Sequence, residues 1–199
     1  SGTWPNIIQR PFGIVANPAD TPKSIFISAF DTHPLAPDYG FALQGQEKYL
    51  QAGIEALAKL TSGKVHLNVD GSKAVPAVFS DLKGAQVNKF SGPHPAGNVG
   101  VQIHHLDPIN KGELAWTVTP YGVAQIGKFI LEGVYDASKV IAVTGSELTK
   151  AAYVKTYMGA SVSTFVKGNL NSGHVRVVSG NVLTGEKISL EGFLGFYHN

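Results

Sequence analysis

Between Ser91 and Gly100 the chain reads Ser-Gly-Pro-His-Pro-Ala-Gly-Asn-Val-Gly. These residue types come closer to a chemical motif than any others in the sequence. A glycine-rich turn that leads from a strand into a helix can present backbone N–H groups to a phosphate. The spacing departs from the known phosphate loops. A P-loop requires Lys and then Ser or Thr after its second glycine, and here Gly97 is followed by Asn98 and Val99. The dinucleotide fingerprint requires glycine at its first, third and sixth positions. Counted from Gly92, the third and sixth are His94 and Gly97. Pro93 and Pro95 also remove two amide donors and stiffen the turn. Two readings stand. One is a rigid strand-to-helix connection. The other is an anion site, which would make the chain a free-standing α/β enzyme or a binding module for a phosphorylated ligand.

The remaining chemistry-bearing residues are scattered. His104 and His105 are adjacent, so on a helix they point about 100° apart and cannot chelate one ion together. No metal site is expected from them with His94 and Asp107. Asp31 and His33 flank a predicted strand end, where active-site residues sit in α/β folds, but Pro34 and Pro37 beside them favour a hydrogen-bonded loop. No Gly-x-Ser-x-Gly elbow occurs; Ser172-Gly173 and Ser179-Gly180 read as turns. Cysteine is absent, which removes disulfides, thiolate metal ligands, iron–sulfur ligation and thiol nucleophiles from this segment.

Composition bounds the rest. The 199 residues are 43% hydrophobic and 15% charged, the balance of a foldable globular chain. The 23 glycines and 11 prolines predict many turns. A net charge of +2, with Arg10 and Arg176 the only arginines, gives no basic stripe for nucleic acid. No apolar run reaches the roughly 18 residues that span a bilayer. Ser1 to Pro5 has neither the basic start nor the apolar core of a signal peptide. The missing initiator methionine fits a segment of a longer protein.

The elements that must carry these residues follow from periodicity. Residues 1–22, rich in Pro, Gly and Asn, read as an extended opening segment. Residues 23–30 (KSIFISAF) read as a buried strand. Residues 44–62 read as a helix with Leu50, Ile54, Leu57 and Ala58 on one face and Gly63 as its stop. Further strands are expected at 64–69, 86–90, 113–118 and 139–143, and further helices after Gly100 and over 121–132. Strands alternating with helices predict an open, parallel α/β sheet, assigned to residues 23–150. From 151 to 199 the pattern changes to short Gly-bounded strands near 153–157, 174–178 and 181–188.

With these elements in place, one stretch becomes recognisable. Residues 90–100, followed by Ile103-His104-His105-Leu106-Asp107-Pro108-Ile109-Asn110, resemble the most distinctive part of a known family, the A subunits of the Na+-translocating NADH:quinone reductase. Arg10-Pro11-Phe12, 27–32 and 175–180 add to the likeness, as does Leu194-Gly195-Phe196-Tyr197-His198. At 143–147 the sequence departs from the Ala-Gly-Pro common in the family. The resemblance implies a Rossmann-like domain, similar to the flavin subunit of respiratory complex I, followed by a small β-grasp (SLBB) domain at 151–199. It implies a peripheral subunit on the cytoplasmic face of the bacterial inner membrane that works with the other subunits. They would carry the FMN, riboflavin and iron–sulfur centres, while this subunit would hold none. The complex as a whole would pass electrons from NADH to ubiquinone and export Na+. Met158-Gly159-Ala160-Ser161 resembles the flavin-attachment motif of sister subunits, but Lys155 and Met158 replace its acidic and hydroxyl residues; Val154, Tyr157 and Met158 are expected in a core instead. Interface or quinone contacts are expected at Trp4, Arg10 and Phe12 of the opening segment and at His94 and Asn98 of the Gly92 loop.

Overall fold

The opening segment is built into the sheet. In the structure, a computed structural model describing residues 2–171 and 174–199, a 3-10 turn at Trp4–Asn6 leads into strands β1 (Ile8–Arg10) and β2 (Ile14–Val15). These pair as an antiparallel hairpin, and β1 pairs antiparallel with β6 (Ala115–Thr117). The Pro and Gly content that suggested an extended tail instead shapes the hairpin turn, where Gly13 has φ 69°.

The chain then lays down β3 (Ile25–Ser28), a short helix α1 (Tyr39–Ala42), α2 (Glu47–Ala58), β4 (Val65–Asp70), another short helix α3 (Ala77–Ser80), β5 (Gln86–Phe90), α4 (Val99–Leu106), β6 and α5 (Pro120–Glu132). Strands β3, β4, β5 and β6 are parallel, in the order β5-β4-β3-β6. The order reverses at β3, as in a doubly wound dinucleotide-binding sheet. Strand β4 is buried from Val65 to Val69, so apolar and polar side chains on both of its faces are covered. Val65, Leu67 and Val69 join Leu50, Ile54 and Leu57 of α2 and Val123 and Ala124 of α5 in the main core. Each such aliphatic side chain contributes about 1.5–3 kcal/mol on burial.

Helix ends follow their sequence signals unequally. In α5, Thr119 caps the first turn by accepting from the Gly122 amide (3.2 Å), Pro120 occupies the first turn, and Gly133 closes the helix at φ 69°. Helix α2 stops at Ala58, which is exposed, four residues short of the expected end. Gly63 is used differently: a Cβ there would strike the Lys23 carbonyl. Helices α2 and α5 cross where Gly53 and Gly127 face each other, since a Cβ on Gly127 would land on the Tyr49 carbonyl and one on Gly53 on the Val123 carbonyl.

The fold divides into two units, residues 1–32 with 39–136 and residues 33–38 with 137–199. The strand expected to end the first domain, β7 (Ser138–Val143), pairs antiparallel with β8 (Ala152–Tyr157) and so belongs to the second unit. Its apolar sequence was equally compatible with the parallel sheet; only the hairpin partner decides. The division therefore falls after Asp136, ahead of the expected 150. Unit 2 continues with a short helix α6 (Ser163–Val166) and the hairpin β9 (Val177–Ser179) with β10 (Glu186–Ile188). Val154 and Leu170 pack on its core of Ile141, Val143, Val162, Val166 and Leu194. Tyr157, expected in a core, is 64% exposed, and Met158 is half-buried. The turn read at Ser172-Gly173 lies outside the described residues.

Candidate functional site

The crevice at the carboxyl ends of β3, β4 and β5 is where α/β sheets bind ligands, and the loop between β5 and α4 reaches it. The strands deliver a row of polar side chains there. His66 and Asn68 of β4 point to the face opposite the main core, and Asn68 is fully buried. Gln102, on the inner face of α4, is fully buried as well. A buried polar group costs about 1–3 kcal/mol unless it is hydrogen-bonded, and this row is paired throughout. Asn88 donates through Nδ2 to His66 Nδ1 (3.2 Å) and to Asn68 Oδ1 (2.9 Å). Asn68 donates to Gln102 Oε1 (2.8 Å), and Gln102 donates to Ser28 Oγ (2.8 Å) and to the Ala96 carbonyl (3.3 Å). Ser28 donates to the Gly97 carbonyl (3.1 Å). The Gly97 amide donates to Thr32 Oγ1 (3.0 Å), whose hydroxyl meets His94 Nδ1 at 3.1 Å.

One chain of hydrogen bonds thus runs from the middle of the sheet to an exposed histidine. His66 anchors its inner end. It stacks on Phe26 with ring centroids 4.7 Å apart, and burial holds its pKa below the usual histidine range. The imidazole is accordingly neutral and free to accept at Nδ1.

Three of the loop's own amide donors are also taken up. The amides of Ala96, Gly97 and Asn98 go to Pro93 O, Thr32 Oγ1 and Pro95 O, and Pro93 and Pro95 have none to offer. Gly97 packs directly on the turn after β3, where a Cβ would strike the backbone of Asp31 and Thr32. Glycine is needed at this position for close approach. The loop is thus pinned at Gly97 to the turn after β3.

The five residues singled out from sequence do not assemble. Trp4 is half-buried: its Nε1 donates to the Ala16 carbonyl (2.7 Å) and its ring meets Trp116 edge-on at 5.7 Å, so it pins the opening segment to the core. Phe12, in contrast, is 78% exposed at the tip of the β1–β2 hairpin, beside exposed Ile14 and Val15. Arg10, at the base of that tip, is half-buried and its Nε has no acceptor among the described residues. Arg10 pairs in register with Ala115, the first residue of β6. The hairpin tip therefore lies at the amino end of the parallel strands, whereas His94 and Asn98, both exposed, lie at the carboxyl end. Asp31 is in the turn beneath Gly97. His33 accompanies unit 2.

Ser28, Thr32, Asn68 and Gln102 were not singled out. Gln102 carried a signal, as a polar residue on the covered side of a short helix, whereas Asn68 alternates with Val65, Leu67 and Val69 as a solvent-facing strand residue would. Elsewhere in unit 1, Lys23 ties the start of β3 to Asp107 (2.8 Å) and Glu113 (2.7 Å). Hydrogen bonding to Lys23 and to the Asn110 amide lowers the Glu113 pKa to about 2. Among the described residues no group of three or more His, Cys, Asp or Glu could hold a metal, and no helix is long and apolar enough to cross a membrane.

Residues 1–135 match the family described as NqrA second alpha/beta domain, and residues 140–189 match the one described as NQRA C-terminal domain, of SLBB type. The A subunit of the Na(+)-translocating NADH-quinone reductase of Marinomonas sp. (strain MWYL1) is 38% identical over 100% of this chain and 44% of its own length. That of Alcanivorax borkumensis is 39% identical over 93% of this chain and 41% of its own length. The chain thus spans about two fifths of the length of the curated relatives it matches. Among solved structures, an NAD+-reducing NiFe-hydrogenase in the air-oxidized state aligns with 89% of this chain and 40% of its own, with a TM-score of 0.60 and 12% identity. That likeness is one of fold.

Proposed function

The chain belongs to the NqrA family, the A subunits of Na(+)-translocating NADH-quinone reductases, and from that premise we propose that it is a cofactor-free, cytoplasm-facing subunit of the sodium-pumping complex. In this reading it is a scaffold for the subunits that carry electrons from NADH to ubiquinone and export Na+, and it touches quinone or membrane subunits through the Phe12 hairpin or the His94 loop. The observation that supports it is the close packing of the Gly92 loop on the turn after β3. Gly97 sits on Asp31 and Thr32, and the amides of Ala96, Gly97 and Asn98 are bonded inside the protein.

Two measurements test the proposal. Purified alone, the chain is expected to be colourless, to bind neither FMN nor NADH in equilibrium titrations and to have no NADH dehydrogenase activity; stoichiometric flavin absorbance would sink the cofactor-free part. In the intact complex, a photoreactive ubiquinone analogue is expected to label this subunit near Phe12 or His94, and Phe12→Ala or His94→Ala to lower quinone reduction. Labelling confined to other subunits, with activity unchanged in both variants, leaves only the scaffold.

A further inference from the structure

Unit 2 contains a cavity of about 360 Å³ that opens to the surface, within the range of roughly 300–1,000 Å³ typical of small-molecule sites. Its walls include Ile141 and Val143 of β7, Val166 of α6 and Leu170. These residues also form the unit's hydrophobic core. The core of unit 2 is therefore packed around an open space, where protein interiors are normally filled to crystal-like density.

The rim is built from the segment between β3 and α1. Leu35 lines the cavity, is 56% exposed and has φ 61°, the one non-glycine residue with positive φ among the described residues. A left-handed leucine costs about 1–2 kcal/mol and persists only where its surroundings impose it. Such residues cluster at ligand clamps and switch regions. Here Pro34 and Pro37 flank it, and the Asp38 amide donates to the Tyr153 hydroxyl (2.8 Å).

The polar groups on the lining define what could enter. The Ser179 hydroxyl is engaged at 2.7 Å by His198 and at 3.0 Å by the Gly195 amide. The Glu147 carboxylate accepts from Ser146 (3.4 Å). Arg176 is exposed on the same lining and has no ion pair among the described residues. A guanidinium offers a planar fork of donors suited to a carboxylate or sulfonate.

We propose that this cavity binds a compact apolar monoanion, with its hydrocarbon or aromatic body against Val143, Val166 and Leu170, its charged end at Arg176, and Leu35 as the clamp over it. The site lies wholly in unit 2 and is independent of the Gly92 loop and of the scaffold role. Nitrogen-15 labelled protein titrated with octanoate tests it, with octanamide as the neutral counterpart and anilinonaphthalene sulfonate as a fluorescent competitor. Saturable shifts confined to the cavity lining are expected, with octanoate at least about tenfold tighter than octanamide. Arg176→Gln should erase that preference. Thr144→Trp, which fills the rim without touching the core, should abolish binding, while Arg10→Gln in unit 1 leaves it unchanged. Equal affinity for acid and amide, an unaltered Arg176→Gln titration, or shifts centred on Phe12 and Ile14 would overturn the proposal.

Discussion

The two units solve the same problem with different means. Unit 1 buries one continuous cluster of twenty hydrophobic residues between its sheet and helices, whereas the cluster of unit 2 has five buried hydrophobic residues among those described, around a cavity. Unit 1 brings its backbones close together at glycines and spends polar side chains on one connected network. Unit 2 admits a lysine to its interior: Lys139 shares the inward face of β7 with Ile141 and Val143, is 6% exposed, and donates to the carbonyls of Phe196 (3.1 Å) and His198 (2.7 Å). A dense core needs no charge inside it. A thin one can use a long side chain to hold the loop at 196–198, at the cost of burying an ammonium group.

Breaking the dense packing should have the largest effect. Gly127→Ala places a methyl group on the Tyr49 carbonyl and forces α2 from α5. A loss of roughly 4 kcal/mol or more is expected, at the upper end for a single substitution, read as a fall in the denaturation midpoint. Gly100→Ala, on α4 with nothing within 4 Å, is the internal control and should gain about 0.5–1 kcal/mol. Similar losses in both would mean that the glycine crossing is not what holds the helices.

The next test turns on Lys139. Burial lowers its pKa to about 8 from 10.5. The folded state thus disfavours the charged form, and between these values the unfolded chain binds more protons. Stability must then rise with pH across this window, by up to about 3 kcal/mol, and be lowest below pH 8, where the buried charge is fully present. Lys139→Met should remove the slope above pH 8. A flat profile in the parent chain would show that the ammonium reaches solvent.

The smallest expected loss is in the network of unit 1. Gln102→Ala leaves the buried Asn68 Nδ2 donor without its acceptor and withdraws a donor from Ser28, for about 2 kcal/mol. It should also speed amide exchange at Gly97, which the same chain of bonds steadies. Exchange unchanged at Gly97 would separate the loop from the network.

Much of unit 1 was legible because its signals are local. The strand at Gln86–Phe90 and the helix over Pro120–Glu132 lie where a strand at 86–90 and a helix over 121–132 were expected. The site was less legible. That Gly97 rests on Thr32 depends on residues 65 positions apart, and no spacing rule relates them. Nor does the sequence reveal that Arg10 and His94 lie at opposite ends of the sheet, since strand direction is a property of pairing. In unit 2 the strands were visible but their partners were not: β7 reads equally well as a fifth parallel strand until β8 claims it.

The division of the chain also has a consequence for the order of synthesis. Residues 33–38, with Leu35 among them, belong to a unit whose other residues begin at Ala137. On the ribosome that segment emerges about a hundred residues before the strands it will join. At about 5–20 residues per second, it waits roughly 5–20 seconds while unit 1 completes its sheet on either side. The clamp over the cavity is thus the first part of unit 2 to be made, and it can take up its shape only among the last.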